Sequence, residues 1–261
     1  MHGAVPEVAS ASARLAALLR GLPLEGVERS FKMARGAILG DRLLAGFGRD
    51  RVGTGWTLDA CRQLGMPSEY LDAFAAELGA ADVVHLGCEV SEAGVLHKAY
   101  LEFPRRLAGP GTHPRVLHVA WKWDAAEPSR RAVARYRCLP DLTLPAISGR
   151  IKELDPGPSG TLLQDVAALC AARSPEPLMY LEVGEEGNPR ASFDLNVHAA
   201  GLALREVEPQ LRGLRAHFDI PVDAFEACFG PARAARLGHV SGGRSRSGAP
   251  FATIYYGGAL A

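Results

Sequence analysis

The 261-residue sequence lacks the patterns that mark several large protein classes. Its five cysteines are widely spread and show none of the CxxC spacing typical of zinc or redox motifs. No apolar run approaches the roughly 18–20 residues that a membrane-spanning helix needs. The 29 basic residues balance 29 acidic ones, so there is no excess positive charge for nucleic acid or an anionic membrane. These absences predict a cytoplasmic protein with reduced thiols that binds neither nucleic acid nor membranes.

Familiar catalytic and nucleotide-binding motifs are also missing. Nothing in the sequence matches GxSxG, HExxH or the GxGxxG of dinucleotide-binding folds. The glycine-rich stretch HVSGGRSRSGAPF lacks GxxxxGK[ST] and precedes a strand-like run, so it predicts a hairpin loop. The histidines have no tight ligand spacing, and we therefore predict no resident metal site.

Helical periodicity and paired strand-like runs alternate along the chain. The helical segments are 10–20, 57–79, 145–153, 160–173, 200–217 and 222–236. Each convincing pair of strand-like runs is joined by a turn signal, whereas the first pair, near residues 26–47, alternates poorly. No proline- or serine-rich linker divides the chain. The pattern predicts a single α+β domain over residues 1–261, with an N-terminal amphipathic helix in 1–23 and the strands and outer helices in 24–258.

Each strand-like run has one apolar and one polar face. The apolar face is expected under the helices, because a sheet covered by helices on one side buries that side. The polar face could then look at solvent from an open sheet, or line the interior of a closed barrel. Its residues include His85, Glu89, Lys98, Tyr100, His118, Lys122, Arg135, Arg137, Tyr180, Asp194, Asn196 and Tyr255. This mixture is suited to binding an anion, and it favours a closed antiparallel barrel of about ten strands.

One segment resembles a known family. LHKAYLEFP, residues 96–104, resembles the Lys-x-Tyr strand and following proline of the indole prenyltransferases, which are soluble aromatic prenyltransferases of the ABBA or PT-barrel type. Members of this family, which also includes enzymes that prenylate cyanobactin peptides, fold as repeated α-β-β-α units around a ten-stranded barrel. As topology, the resemblance covers residues 24–257. It implies transfer of a dimethylallyl or longer prenyl group from its diphosphate to an aromatic or peptide acceptor.

The resemblance and the chemistry of prenyl transfer together assign roles to the polar face. An ionising diphosphate needs fixed cations, and an allylic cation needs aromatic rings that exclude water. The predicted diphosphate-binding residues are Lys98, Lys122, Arg135 and Arg137. The predicted cation shield is Tyr100, Tyr180 and Tyr255. Glu89 is the predicted base, and the predicted substrate pocket is His85, His118, Asp194 and Asn196. The oxygen ligands of Asp194 and Asn196 would also allow Mg²⁺ beside the diphosphate.

Other interpretations of the same residues stay open at the sequence level. Lys98 could pair with Glu89 across an exposed sheet, and Arg135 and Arg137 could lie on a solvated basic strand. The chain could then be a non-catalytic α+β protein that binds a peptide or small ligand in a polar pocket. A third alternative is an unrelated α+β hydrolase or ligand-binding protein in which His118 and Glu89 act together.

Overall fold

A computed structural model of the protein describes residues 10–108, 115–140 and 142–257. Its strands pair as antiparallel neighbours in a single sheet. Their bounds are β1 Leu24–Ala34, β2 Ala37–Leu39, β3 Arg42–Gly48, β4 Val83–Ser91, β5 Gly94–Glu102, β6 Arg115–Trp123, β7 Arg131–Leu139, β8 Met179–Glu185, β9 Ala191–Asn196, β10 Leu237–Arg244 and β11 Pro250–Gly257.

The sheet closes on itself. From β3 to β11 each strand pairs with the next along the chain, and β1 pairs with both β3 and β11. The closing register runs from Glu28 opposite Gly257 to Met33 opposite Ala252. The short β2 pairs only with the end of β1 and lies outside the ring. The predicted closed ten-stranded antiparallel barrel is therefore confirmed, including the doubtful first hairpin.

Two groups of helices cover different parts of the outside of the barrel. Their bounds are α1 Ala11–Leu18, α2 Arg49–Val52, α3 Thr54–Gln63, α4 Ser68–Leu78, α5 Arg105–Ala108, α6 Leu144–Leu154, α7 Pro158–Arg173, α8 Glu208–His217 and α9 Val222–Ala232. One apolar core joins α1, α3 and α4 to the outer faces of β3–β6, and another joins α6–α9 to β1 and β8–β11. In the first core the ring of Phe74 meets Trp121 edge to face, with 5.2 Å between centroids. None of the described helices is long and apolar enough to cross a membrane.

Proline positions explain where helices differ from the sequence prediction. The single helix expected over 57–79 is two helices, α3 and α4, separated by a turn that contains Pro67. The segment 200–217 becomes two 3₁₀ turns followed by α8, with Pro209 in the first helical turn, where its missing N–H costs nothing. The helix expected within residues 1–23 is α1. Residues 1–9 of that segment and residue 258, the predicted end of the barrel, lie outside the described residues.

The two ends of the barrel differ in their connections. Tight hairpin turns link β4 to β5, β8 to β9 and β10 to β11 at one end. The connections that contain helices leave from and return to the other end, where β3, β5, β7 and β9 finish. A cavity of about 480 Å³ lies at this second end, which we call the mouth.

Candidate active site

Strand β5 displays the organisation of the barrel interior in one stretch of sequence. Lys98, Tyr100 and Glu102 alternate with residues of the outer core, so all three point inwards. Successive inward residues on a strand are about 7 Å apart along it, which separates these three groups into levels. Neighbouring strands contribute side chains to the same levels. The interior thus has a basic layer near the hairpin end, a tyrosine layer in the middle, and an acidic and histidine-rich mouth.

The basic layer collects six cationic side chains around two carboxylates. Its members are Lys32, Arg42, Lys98, Lys122, Arg190 and Arg246, with Glu89 and Glu185. Glu89 accepts hydrogen bonds from Arg42 and, at 2.9 Å, from Lys98 Nζ. Glu185 Oε1 accepts one from Lys122 Nζ at 2.6 Å, and its Oε2 accepts one from Arg246 Nε at 2.6 Å. The six cations exceed the two carboxylates by four when all are ionised.

Like charges face each other directly in this layer. Lys98 on β5 is the register partner of Lys122 on β6, and both side chains are almost fully buried. Burial lowers the pKa of Lys98 to about 8, although Glu89 opposes that shift. Burial also lowers the pKa of Lys122 well below its usual value, and Arg190 lowers it further. Opposed buried lysines are destabilising unless anionic groups compensate their charge, and Glu89 and Glu185 do so here for Lys98 and Lys122. The other cations leave the layer with an excess of positive charge.

The tyrosine layer separates the basic layer from the mouth. Tyr100, Tyr136 and Tyr255 all border the cavity, and the hydroxyl groups of Tyr100 and Tyr136 lie 3.5 Å apart. Burial raises the pKa of all three phenols, so they stay neutral. Burial alone would lower the pKa of Arg42, but Glu89, Tyr255 and Tyr100 together raise it. The basic layer and the tyrosine layer therefore adjoin.

At the mouth, Glu102 is held between two histidines. His85 Nε2 lies 2.7 Å from Glu102 Oε2, and His118 Nε2 lies 3.6 Å from Glu102 Oε1. Burial alone would raise the pKa of Glu102, but hydrogen bonds from the two histidines hold it far below the usual value. Gly46 leaves room for this arrangement, because a Cβ there would lie 2.7 Å from His85 Nδ1. Glu102 is thus an ionised carboxylate facing the cavity.

A second acidic and histidine-containing group lies across the mouth. Glu28 Oε1 is 3.1 Å from His198 Nε2 and 3.9 Å from His239 Nε2. His239 Nδ1 is 2.6 Å from Asp194 Oδ1. Burial alone would lower the pKa of His239, but Asp194 and Glu28 raise it to about 9. Asn196 also borders this part of the cavity, and its side-chain oxygen accepts the N–H of His198.

Three predicted site residues do not face the interior, and for these the predicted orientation is wrong. Arg135 lies on the outer face and pairs with Glu186, Arg137 is exposed, and Tyr180 is fully buried between the barrel and the helices, stacked on Phe193. On β7 and β8, several of the inward residues that precede Glu185 are instead apolar or aromatic. They are Ala134, Tyr136, Cys138, Leu181 and Val183.

The other nine predicted residues point into the barrel, at different levels. Glu89, Lys98 and Lys122 lie in the basic layer, and Tyr100 and Tyr255 lie in the tyrosine layer. His85, His118, Asp194 and Asn196 border the mouth cavity. The sequence prediction assigned no site role to Glu28, Lys32, Arg42, Glu102, Tyr136, Glu185, Arg190, His198, His239 and Arg246. The alternation Glu28-x-Ser30-x-Lys32 on β1 and the continuation of β5 to Glu102 were usable signals for three of these.

Comparison with known proteins supports this architecture. No protein-family model matches the chain, and no curated protein sequence matches it. Solved structures do match over nearly the whole chain. The 5-dimethylallyltryptophan synthase from Streptomyces coelicolor superposes with a TM-score of 0.62 at 13% identity, covering 90% of this chain and 81% of that one.

Two further structures extend the similarity. The 6-dimethylallyltryptophan synthase from Micromonospora olivasterospora, in complex with DMASPP and Trp, gives a TM-score of 0.56 at 17% identity and covers 89% of this chain and 82% of its own. The prenyltransferase PriB, in a binary complex with product diphosphate, gives 0.58 at 16% identity, with 89% and 79% covered. The fold of this chain is therefore the PT barrel of aromatic prenyltransferases, as the sequence resemblance implied.

Proposed function

We propose that the protein is a prenyltransferase that moves a dimethylallyl or longer prenyl group from its diphosphate to an aromatic acceptor. The observation that carries this proposal is the basic layer, which gathers six cations around two carboxylates inside a PT barrel, with only Arg246 among the six exposed to solvent. Buried charges without partners are strongly unfavourable, so the layer fits a multiply charged anion as its ligand. The similar structures that hold DMASPP or diphosphate support a prenyl diphosphate as that anion.

The layers suit the steps of the reaction. Lys98, Lys122 and Arg42 would bind the diphosphate and stabilise the charge that it gains when the carbon–oxygen bond to the allyl group breaks. The electron pair of that bond leaves with the diphosphate. Tyr100, Tyr136 and Tyr255 would surround the allylic cation, stabilise it by cation–π attraction and exclude water.

The acceptor would then occupy the cavity at the mouth. A ring carbon of the acceptor forms the new bond to the allylic carbon, and a proton must leave that ring carbon to restore aromaticity. We propose Glu102 as the base that takes this proton, since it is ionised, faces the cavity and is oriented by His85 and His118. Glu89 is less suited, because Arg42 and Lys98 bind it within the basic layer.

The role expected for Mg²⁺ also changes with the geometry. Asp194, one of its two expected ligands, is bonded to His239 at the mouth, while the basic layer provides lysine and arginine for the diphosphate. We therefore propose that charge neutralisation of the leaving group is carried by these side chains. A peptide acceptor remains part of the proposal only as a chain that presents an aromatic side chain to the mouth.

The proposal is tested with the full-length protein, dimethylallyl diphosphate and free tryptophan or other indoles and phenols. Mass spectrometry of the products and the release of pyrophosphate are the readouts. Calorimetric titration with inorganic pyrophosphate measures binding separately. A protein that binds no pyrophosphate contradicts the proposal. Binding without product from any acceptor or prenyl length supports the alternative of a non-catalytic ligand-binding barrel.

A further inference from the structure

The mouth holds a group of potential metal ligands that the proposed prenyl transfer does not use. Glu28, His198 and His239 each offer one ligand atom, and these three atoms lie within 4.8 Å of one another. They come from β1, the 3₁₀ turn after β9, and β10, which are distant in sequence but adjacent in the closed barrel. Closure of the ring through β1 and β11 is what brings them together.

A neighbouring carboxylate fixes the direction of the His239 ring. Asp194 bonds to Nδ1 of His239, so Nε2 of that ring is directed towards Glu28. The rings of His198 and His239 meet edge to face, with centroids 5.1 Å apart and planes at 84°. A histidine whose second nitrogen bonds a carboxylate is the usual arrangement of a metal-binding histidine, because the carboxylate fixes the tautomer and makes the ring more basic.

The backbone leaves space for this convergence at Gly238. A Cβ at this position would lie 2.5 Å from Glu28 Oε1 and 2.7 Å from His198 Cε1. Any side chain there would therefore displace the carboxylate and the imidazole from their present positions. Glycine at 238 permits the close approach on which the group depends.

We propose that Glu28, His198 and His239 bind a divalent transition-metal ion, with Zn²⁺ as the best fit. Two imidazoles and one carboxylate are a ligand set that zinc uses in sites with an open position. Tetrahedral bonds of about 2.0–2.1 Å place neighbouring ligand atoms about 3.3 Å apart. The two distances from Glu28, 3.1 Å and 3.9 Å, each lie within an ångström of this value, and all three ligand atoms lie within 4.8 Å of one another, so metal binding requires the two imidazoles to move closer together.

The open coordination position would face the cavity, because all three ligands border it. The ion would then lie at the mouth, on the opposite side of the tyrosine layer from the basic layer. This site is independent of the proposed function, since it requires neither a diphosphate nor an acceptor. The alternative occupant of the gap between Glu28 and His239 is a proton, and the experiment separates the two.

The test is metal binding by the full-length protein after treatment with a chelator. We expect one equivalent of Zn²⁺ by calorimetry and elemental analysis, and the visible absorption of tetrahedral Co²⁺ when cobalt replaces zinc. Removal of one ligand by His239→Ala or His198→Ala should weaken zinc binding at least about 100-fold, and Asp194→Asn, which removes only the supporting carboxylate, should weaken it about 10- to 100-fold.

His118→Ala is the matched control, since His118 is a cavity histidine outside the group, and it should leave zinc binding unchanged. Circular dichroism of each variant establishes that it is folded. Two results would overturn the site: wild-type protein that binds no zinc or cobalt at micromolar concentration, or binding that His198→Ala, His239→Ala and Asp194→Asn leave unchanged. Because metal content is the readout, this test stands whether or not prenyl transfer is observed.

Discussion

The basic layer and the mouth occupy the same barrel interior and use the same strands, yet their electrostatics are opposite. On β5 Lys98 and Glu102 are four positions apart, and on β1 Glu28 and Lys32 have the same spacing. At one level, cations outnumber the carboxylates that pair with them. At the other, Glu28, Glu102 and Asp194 each bond to histidine.

This difference gives the interior a direction. In the proposed reaction, the anionic leaving group would lie at the hairpin end and the group that loses a proton would lie at the mouth. The tyrosine layer between them keeps the two levels apart without adding charge. Opposed lysines in a buried layer lower the stability of the fold. Local features that lower stability are typical of functional sites.

The largest expected effect on turnover comes from a substitution of Glu102 at the mouth. We expect Glu102→Gln to lower the turnover of an active acceptor about 100-fold or more, as loss of a general base does. The affinity for inorganic pyrophosphate should stay the same, because Glu102 belongs to the mouth. Steady-state kinetics and calorimetry provide the two readouts.

Glu182→Gln is the control for Glu102→Gln. Glu182 is also a strand glutamate, but it lies on the outer face of β8, where it pairs with Arg150. Full activity of Glu102→Gln would remove Glu102 from the mechanism. A large loss of pyrophosphate affinity would show that the two levels are not functionally separate.

At the basic layer, Lys98→Ala should weaken pyrophosphate binding by about 2 kcal/mol, the loss expected for a buried charge-assisted contact. This corresponds to about a 30-fold rise in Kd. Arg135→Ala removes a cation from the outer face of β7 and should leave Kd unchanged, which makes it a matched control. Equal effects of the two substitutions would mean that the interior cations do not form the anion site.

The pH dependence of pyrophosphate binding tests the charge of Lys98 in the basic layer. Burial lowers the pKa of Lys98 to about 8, so the side chain is cationic below that pH and neutral above it. The affinity should therefore fall as the pH rises through 8, approaching tenfold per pH unit if one proton is involved. Lys98→Arg keeps its charge and should shift this fall to higher pH. The titration of pyrophosphate itself is common to both proteins, so identical pH profiles would contradict the assignment.

The fold followed from the sequence because the alternation of apolar and polar residues is a local property. Hairpins joined by strong turn signals predicted antiparallel pairing, and the helical segments predicted one covered face. Which face was covered could not be read equally well on every strand. On β7, Ala134, Tyr136 and Cys138 form the more apolar face, but that face packs inside the barrel.

The reason lies in the placement of the two groups of helices that cover the barrel. One covers β3–β6 and the other covers β1 and β8–β11, which leaves much of β7 between them. Arg135 and Arg137 therefore meet solvent at this seam, while an apolar interior cluster replaces the expected polar lining. A seam between two groups of helices is a tertiary feature that strand alternation does not encode. The same limit hid Arg190 and Arg246, which reach the basic layer from hairpin connections outside the strands.

The smallest expected effect distinguishes a tyrosine of the outer core from those inside. The hydroxyl of Tyr180 is buried and has no hydrogen-bond partner among the described residues. An unsatisfied buried hydroxyl is unfavourable, so Tyr180→Phe should leave stability unchanged or raise it by about 1 kcal/mol. It should also leave turnover unchanged, whereas Tyr100→Ala removes part of the tyrosine layer and should lower product formation. Chemical denaturation and product assays of both variants make the measurement, and a loss of activity in Tyr180→Phe would return that residue to the list of functional tyrosines.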